Sequence, residues 1–143
     1  MSSGPVEQSP RSPLILVIDD HAPVRFTLEH ILKRRGYRVI CADSGPCGIV
    51  LAASERIDAM LIDVHMPGMT GLECLRIIQK NRTADAPEFR VWFMSGAPTA
   101  EMARAAAQLG ALGLLQKPFE YPELLATLKA GLASPLPQRS TPE

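Results

Sequence analysis

The sequence predicts a doubly wound α/β fold, a five-stranded parallel sheet with five helices on its two faces. Three observations predict it. Short, almost wholly apolar runs of strand length alternate with stretches of helical periodicity. The apolar runs lack the in-out alternation of a half-exposed strand, as expected for strands covered on both faces. Carboxylates, a Ser and a Lys follow those runs directly, and in an open parallel sheet such positions form the crevice where ligands bind.

Leu14–Ile18 is the first such run, and it stops at Asp19-Asp20. Pro23 suits a first helical turn. Val24, Leu28, Ile31 and Leu32 recur at helical spacing, and Gly36 after three basic residues is a C-terminal stop. Residues 37–42 read as the second strand. Residues 46–54 read as a short helix with Ile49, Val50 and Ala53 on its inner side. Residues 59–62 form the third strand, ended by Asp63 and by the Pro67-Gly68 turn, which prevents regular structure from continuing. Leu72, Leu75, Ile77 and Ile78 mark an amphipathic helix that runs out near Asn81.

A polar loop over residues 83–88 leads to Arg90-Val91-Trp92-Phe93-Met94, the fourth strand, and Ser95-Gly96-Ala97-Pro98 is a turn. Residues 99–109 form an alanine-rich helix, and residues 112–115 a short fifth strand before Gln116-Lys117-Pro118-Phe119. Pro122 opens the last helix, with Leu124, Leu125, Leu128 and Leu132 as its apolar stripe.

At 143 residues there is room for one ordinary domain with a real core, placed at residues 14–133. Six of the 13 prolines lie in the flanks, three within residues 1–13 and three within 134–143, so both flanks read as flexible tails. Apolar residues at 46% and charged residues at 21% describe a globular protein. Lys plus Arg (15) equals Asp plus Glu (15), so no charge excess argues for nucleic acid or an anionic membrane as partner. No run resembles a signal peptide or a spanning helix, and a cytoplasmic location is expected. Cys41, Cys47 and Cys74 lack metal-ligand spacing and read as reduced packing residues.

Asp19, Asp20, Asp63, Ser95 and Lys117 all fall at the same end of the predicted sheet. Each has a plainer reading: Asp20 or Asp63 as a helix cap, Ser95 as a turn residue, Lys117 as a solvated charge. Two carboxylates about 5 Å apart at an effective dielectric of about 20 repel by roughly 3 kcal/mol, so three of them call for a cation. Carboxylates, a carbonyl and waters suit Mg²⁺, which uses its remaining positions to grip phosphate. Lys117 adds a fixed positive charge that matters mainly when phosphoryl charge arrives, while Ser95 and the Gly96 N–H add donors. Together they make a cradle for a transferring phosphoryl group, with Asp63 as nucleophile.

Ile18-Asp19-Asp20, Asp63-Val64-His65-Met66-Pro67 with Gly71, Met94-Ser95-Gly96 and Lys117-Pro118-Phe119 resemble the receiver domain of two-component response regulators. The resemblance implies a flavodoxin-like fold with strand order 2-1-3-4-5. It implies a non-enzymatic phosphoacceptor, Asp63, served by a sensor histidine kinase or a phosphotransfer protein. Asp20, Asp63 and the His65 carbonyl would bind Mg²⁺, with Asp19 acting through water. Ser95, Gly96 and Lys117 would hold the phosphoryl oxygens, and the Lys117-Pro118 bond is commonly cis in such proteins. A shift of Ser95 would remodel the face of the fourth helix, fifth strand and fifth helix for a downstream protein target. A homodimer stays open. The chain departs from the pattern at Leu114, where receivers usually carry the Tyr or Phe of the switch. The rival readings are a receiver-like interaction module that is never phosphorylated, a nucleotide-binding module of flavodoxin type, which the acidic rather than Gly-rich loop after the first strand disfavours, and an Asp-nucleophile phosphatase. The phosphatase expects an Asp-x-Asp signature that Asp19-Asp20 and Asp63-Val64-His65 do not supply.

Overall fold

The computed structural model describes residues 12–134. Its elements are β1 (Leu14–Ile18), α1 (Ala22–Arg34), β2 (Arg38–Ala42), α2 (Gly45–Ser54), β3 (Ala59–Asp63), α3 (Gly71–Lys80), β4 (Arg90–Ser95), α4 (Ala100–Gln108), β5 (Gly113–Gln116) and α5 (Tyr121–Ala133). The strands form one parallel sheet in the order β2-β1-β3-β4-β5, the doubly wound topology expected. Most of the proline-rich flanks, residues 1–11 and 135–143, lie outside the described residues. Ser12 and Pro13 continue β1 outward, and their carbonyls accept hydrogen bonds from the Nε and the backbone N–H of Arg38.

Alternation along the strands divides the core into two layers. Ile15, Val17, Ala59, Leu61, Trp92 and Met94 face α1 and α5, where Leu28, Leu32, Leu124, Leu125 and Leu128 cover them. Leu14, Leu16, Ile18, Met60, Ile62, Val91 and Phe93 face the opposite way, against Cys74, Leu75 and Ile78 of α3 and Ala106 of α4. Each large apolar side chain so covered contributes roughly 1.5–3 kcal/mol, and the sheet is therefore the rigid part of the molecule. Among the described residues no helix is long and apolar enough to cross a membrane. Cys41, Cys47 and Cys74 are free thiols, and burial pushes Cys41 and Cys74 up to about 11.

Two details differ from the sequence reading. Val50 and Ala53 face solvent, Val50 at 64% exposure, while Gly45 and Gly48 are buried and Cys47, Ile49, Leu51 and Ala52 pack at the core's edge. The reason is close approach: a Cβ on Gly48 would stand 2.5 Å from Ile18 Cδ1 and one on Gly45 2.6 Å from Met69 Sδ, so α2 turns Gly48 toward β1 and Gly45 toward the turn before α3. The strand before Lys117 runs one residue later than expected, with Gly113 opposite Trp92 and Leu112 left 41% exposed.

Candidate functional site

Parallel neighbours in register end together, and that places the polar groups. Ile18 pairs with Ile62, Asp63 with Met94 and Ser95 with Gln116, so the residues that follow β1, close β3 and β4 and follow β5 share one edge. Asp63 and Ser95 are the last residues of their strands and are buried. Asp19 is buried as well, and Asp20 is exposed beside it.

Carboxylate oxygens of Asp19, Asp20 and Asp63 lie within 4.8 Å of one another. Lys117 reaches into this cluster, its Nζ 2.8 Å from Asp19 Oδ2 and 3.4 Å from Asp63 Oδ1. The Lys117-Pro118 peptide is cis, and the Lys117 backbone N–H donates to the Ser95 carbonyl at 2.8 Å. Asp19 Oδ1 accepts from the His21 N–H at 2.9 Å, so both its oxygens are engaged.

Burial raises the Asp63 carboxyl above the usual carboxylate range, and the charge of Asp19 adds to it. Lys117 and the His65 backbone N–H pull the other way without prevailing. For Lys117 burial alone would favour loss of the proton, but the hydrogen bond and charge of Asp19, then Asp63, hold its ammonium above the ordinary lysine range. The shared contact thus lowers one partner and raises the other. Desolvation and a like charge outweigh it at Asp63 because two acids compete there for one ammonium.

The turn after β3 is set by backbone. Val64 N–H donates to the Met94 carbonyl and Gly71 N–H to the Val64 carbonyl, each at 2.9 Å, and Gly68 takes a φ of +81° that favours glycine. Thr70 and Glu73 form a reciprocal capping box, so Thr70, not Asp63, caps α3. Nor does Asp20 cap α1, whose N-cap is His21 with no side-chain cap bond. The His65 side chain is exposed on the turn.

Ser95 Oγ accepts from the Ala97 N–H at 3.0 Å, which leaves its proton free to donate elsewhere; Gly96 is exposed in the same turn. Leu114 lies apart from the cluster, half-buried opposite Phe93 and packed against the layer of α2, α3 and α4. One site contact is invisible in a motif reading: Arg25 Nη1 donates to the Asp19 carbonyl at 2.8 Å. Its only sequence signal is an Arg on the first turn of a helix that starts beside the acids.

Three carboxylates face one ammonium here, and all the converging ligand atoms are hard oxygens. That donor set fits a small divalent cation.

Fold and site together define a doubly wound module with an acid cluster at the carboxyl edge of its sheet. The family model of the response regulator receiver domain matches residues 15–129, and the chain belongs to that family. It is 36% identical over 132 residues to the sensory/regulatory protein RpfC of Xanthomonas campestris pv. campestris, covering 92% of this chain and 18% of that protein. The chain thus spans less than a fifth of the length of that curated relative. Among solved structures it is similar to a Vibrio cholerae chemotaxis protein (29% identity, TM-score 0.74, covering 83% of this chain and 98% of the other). It is also similar to a CheY-like receiver domain protein of Methanospirillum hungatei (26%, TM-score 0.78, 85% and 94%). A third is a Burkholderia pseudomallei response regulator with a phosphorylated aspartic acid, a calcium ion and citrate (26%, TM-score 0.72, 85% and 74%).

Proposed function

We propose that the protein is a phosphoacceptor and not an enzyme: Asp63 takes a phosphoryl group from a sensor histidine kinase or a phosphotransfer protein, and the new charge switches an interaction surface. The observation that carries this reading is the convergence of Asp63, Asp19, Asp20 and Lys117 at one sheet edge, with ligand oxygens within 4.8 Å. An Asp63 oxygen forms the new O–P bond while the donor's N–P bond breaks, and the electron pair leaves on the imidazole nitrogen, which is then protonated. Lys117, already 3.4 Å from Asp63 Oδ1, stands where the incoming phosphoryl charge needs a counter-ion.

Asp20, Asp63 and the His65 carbonyl would hold Mg²⁺. Asp19, whose oxygens are both occupied by His21 and Lys117, would act on it through water. When bound, the ion offsets the carboxylate charge and draws in phosphoryl oxygens. Ser95 and the Gly96 N–H receive another phosphoryl oxygen. Ser95 Oγ is engaged by the Ala97 N–H, so its hydroxyl would turn toward Asp63 to meet the phosphoryl group, and that movement would start the switch. The signal passes to a protein target on the face of α4, β5 and α5, in the cytoplasm and without direct nucleic-acid contact.

The test is incubation of the intact protein with Mg²⁺ and acetyl phosphate, read by mass. One added phosphoryl group, absent without metal and absent in Asp63→Asn, supports the reading. No addition to the native protein, or unchanged addition in Asp63→Asn, overturns it.

A further inference from the structure

We infer that Arg25 is a positioning residue for the acidic loop, holding the Asp19-Asp20 peptide in the orientation a divalent cation needs; this role rests on reading the acid cluster as a cation site. Arg25 is half-buried on α1, and its Nη1 donates to the Asp19 carbonyl oxygen at 2.8 Å. The other polar atoms of Asp19 are committed elsewhere. Its N–H donates to the Ala42 carbonyl at 3.1 Å, Oδ1 accepts from His21 N–H at 2.9 Å and Oδ2 from Lys117 Nζ at 2.8 Å.

The carbonyl differs from these, because it belongs to the peptide that leads into Asp20. Asp20 is exposed, and among the described residues its carboxylate has no hydrogen bond or ion pair. Nothing but its backbone aims it at Asp63. The oxygen of the peptide that carries it is held by Arg25, so the guanidinium sets where the free carboxylate stands without touching the ion.

Charge and geometry give opposite signs here. Removing a cation from beside three carboxylates raises the negative potential and, by Coulomb's law, tightens binding of a divalent ion. Releasing the Asp19-Asp20 peptide scatters one of the few ligands and loosens it; loss of such an outer partner typically weakens a metal site about 10-fold or more. A role in packing alone lowers stability and leaves cation affinity where it was.

The experiment is calorimetric titration of Mg²⁺ into metal-free native protein, Arg25→Met and Arg25→Lys, with amide exchange at His21 as a second reading. Arg25→Met should bind Mg²⁺ about 10-fold more weakly. Its His21 amide should exchange faster, and Arg25→Lys, which restores a donor, should recover most of the affinity. Equal or tighter binding in Arg25→Met, beside a native protein that binds, overturns the role of Arg25 alone. A native protein that binds no Mg²⁺ overturns the cation site and this role with it. Should Arg25→Met fail to fold, Arg25→Ala, which likewise removes both the charge and the donor, makes the same comparison: weaker binding supports positioning, and unchanged or tighter binding overturns it.

Discussion

Lys117 shows how a single side chain changes meaning once its neighbours are known. In the sequence it is a charge waiting for phosphate. In the structure it is the counter-ion of Asp19, a fully buried carboxylate. Lys117→Ala should therefore destabilise the unphosphorylated fold by about 1–3 kcal/mol, the cost of leaving a buried polar group without its partner. Chemical denaturation at neutral pH measures it, and an unchanged midpoint would return Lys117 to the purely functional role.

Asp63 should behave in the opposite way. Burial, then Asp19, raise its carboxyl above the unfolded value of about 3.9. Such a group favours the fold when protonated: the contribution is complete below the unfolded value and lost as pH rises through the folded one. In metal-free buffer at neutral pH, Asp63→Asn should raise the Tm, and the gain should vanish in acid below about pH 3.9. A gain of the same size at both pH values would refute the electrostatic origin.

Among the elements, the tightest constraint is where α3 meets the end of β3. A Cβ at Gly71 would stand 2.2 Å from the Asp63 carbonyl oxygen, and that oxygen is backbone, which has nowhere to go. Gly71→Ala should cost about 1–3 kcal/mol as overpacking and should displace Asp63. Gly48→Ala meets Ile18 Cδ1 at 2.5 Å, the end of a side chain that can rotate, and should cost less. Thr70→Ala removes one capping bond and should cost about 1 kcal/mol, with phosphorylation of Asp63 preserved. Urea unfolding of the three variants ranks them, and Gly71→Ala as stable as the native protein would contradict the contact.

Over the whole molecule, packing is uneven. Helix α3 buries Gly71, Cys74, Leu75 and Ile78, and α5 buries Leu124, Leu125 and Leu128, whereas α4 buries Ala106 alone. Gln79 Nε2 donates to the Leu109 carbonyl at 2.7 Å and ties down the C-terminal end of α4, leaving its Thr99 end beside the Ser95 turn. Leu114 has no polar tip to place in water and gains by staying against the core. A beryllofluoride mimic of the phosphoryl group should therefore change hydrogen exchange over residues 95–109 and leave β5 near Leu114 almost unaltered. Changes confined to β5 would show that the signal travels by another route.

Apolar runs, their spacing and the residues that end them were enough to derive a parallel sheet of five strands and to name Asp19, Asp20, Asp63, Ser95 and Lys117 as neighbours. Strand character and strand ends are local properties, and a parallel sheet in register turns shared ends into a shared site. Other features depend on close approach between segments far apart in the chain. The inward glycines of α2, the one-residue shift of β5, the ion pair that spends Lys117 on Asp19 and the grip of Arg25 on the Asp19 carbonyl are of this kind. Periodicity cannot foresee them, because a glycine contact or a buried ion pair is decided by distances that exist only after the layers have packed.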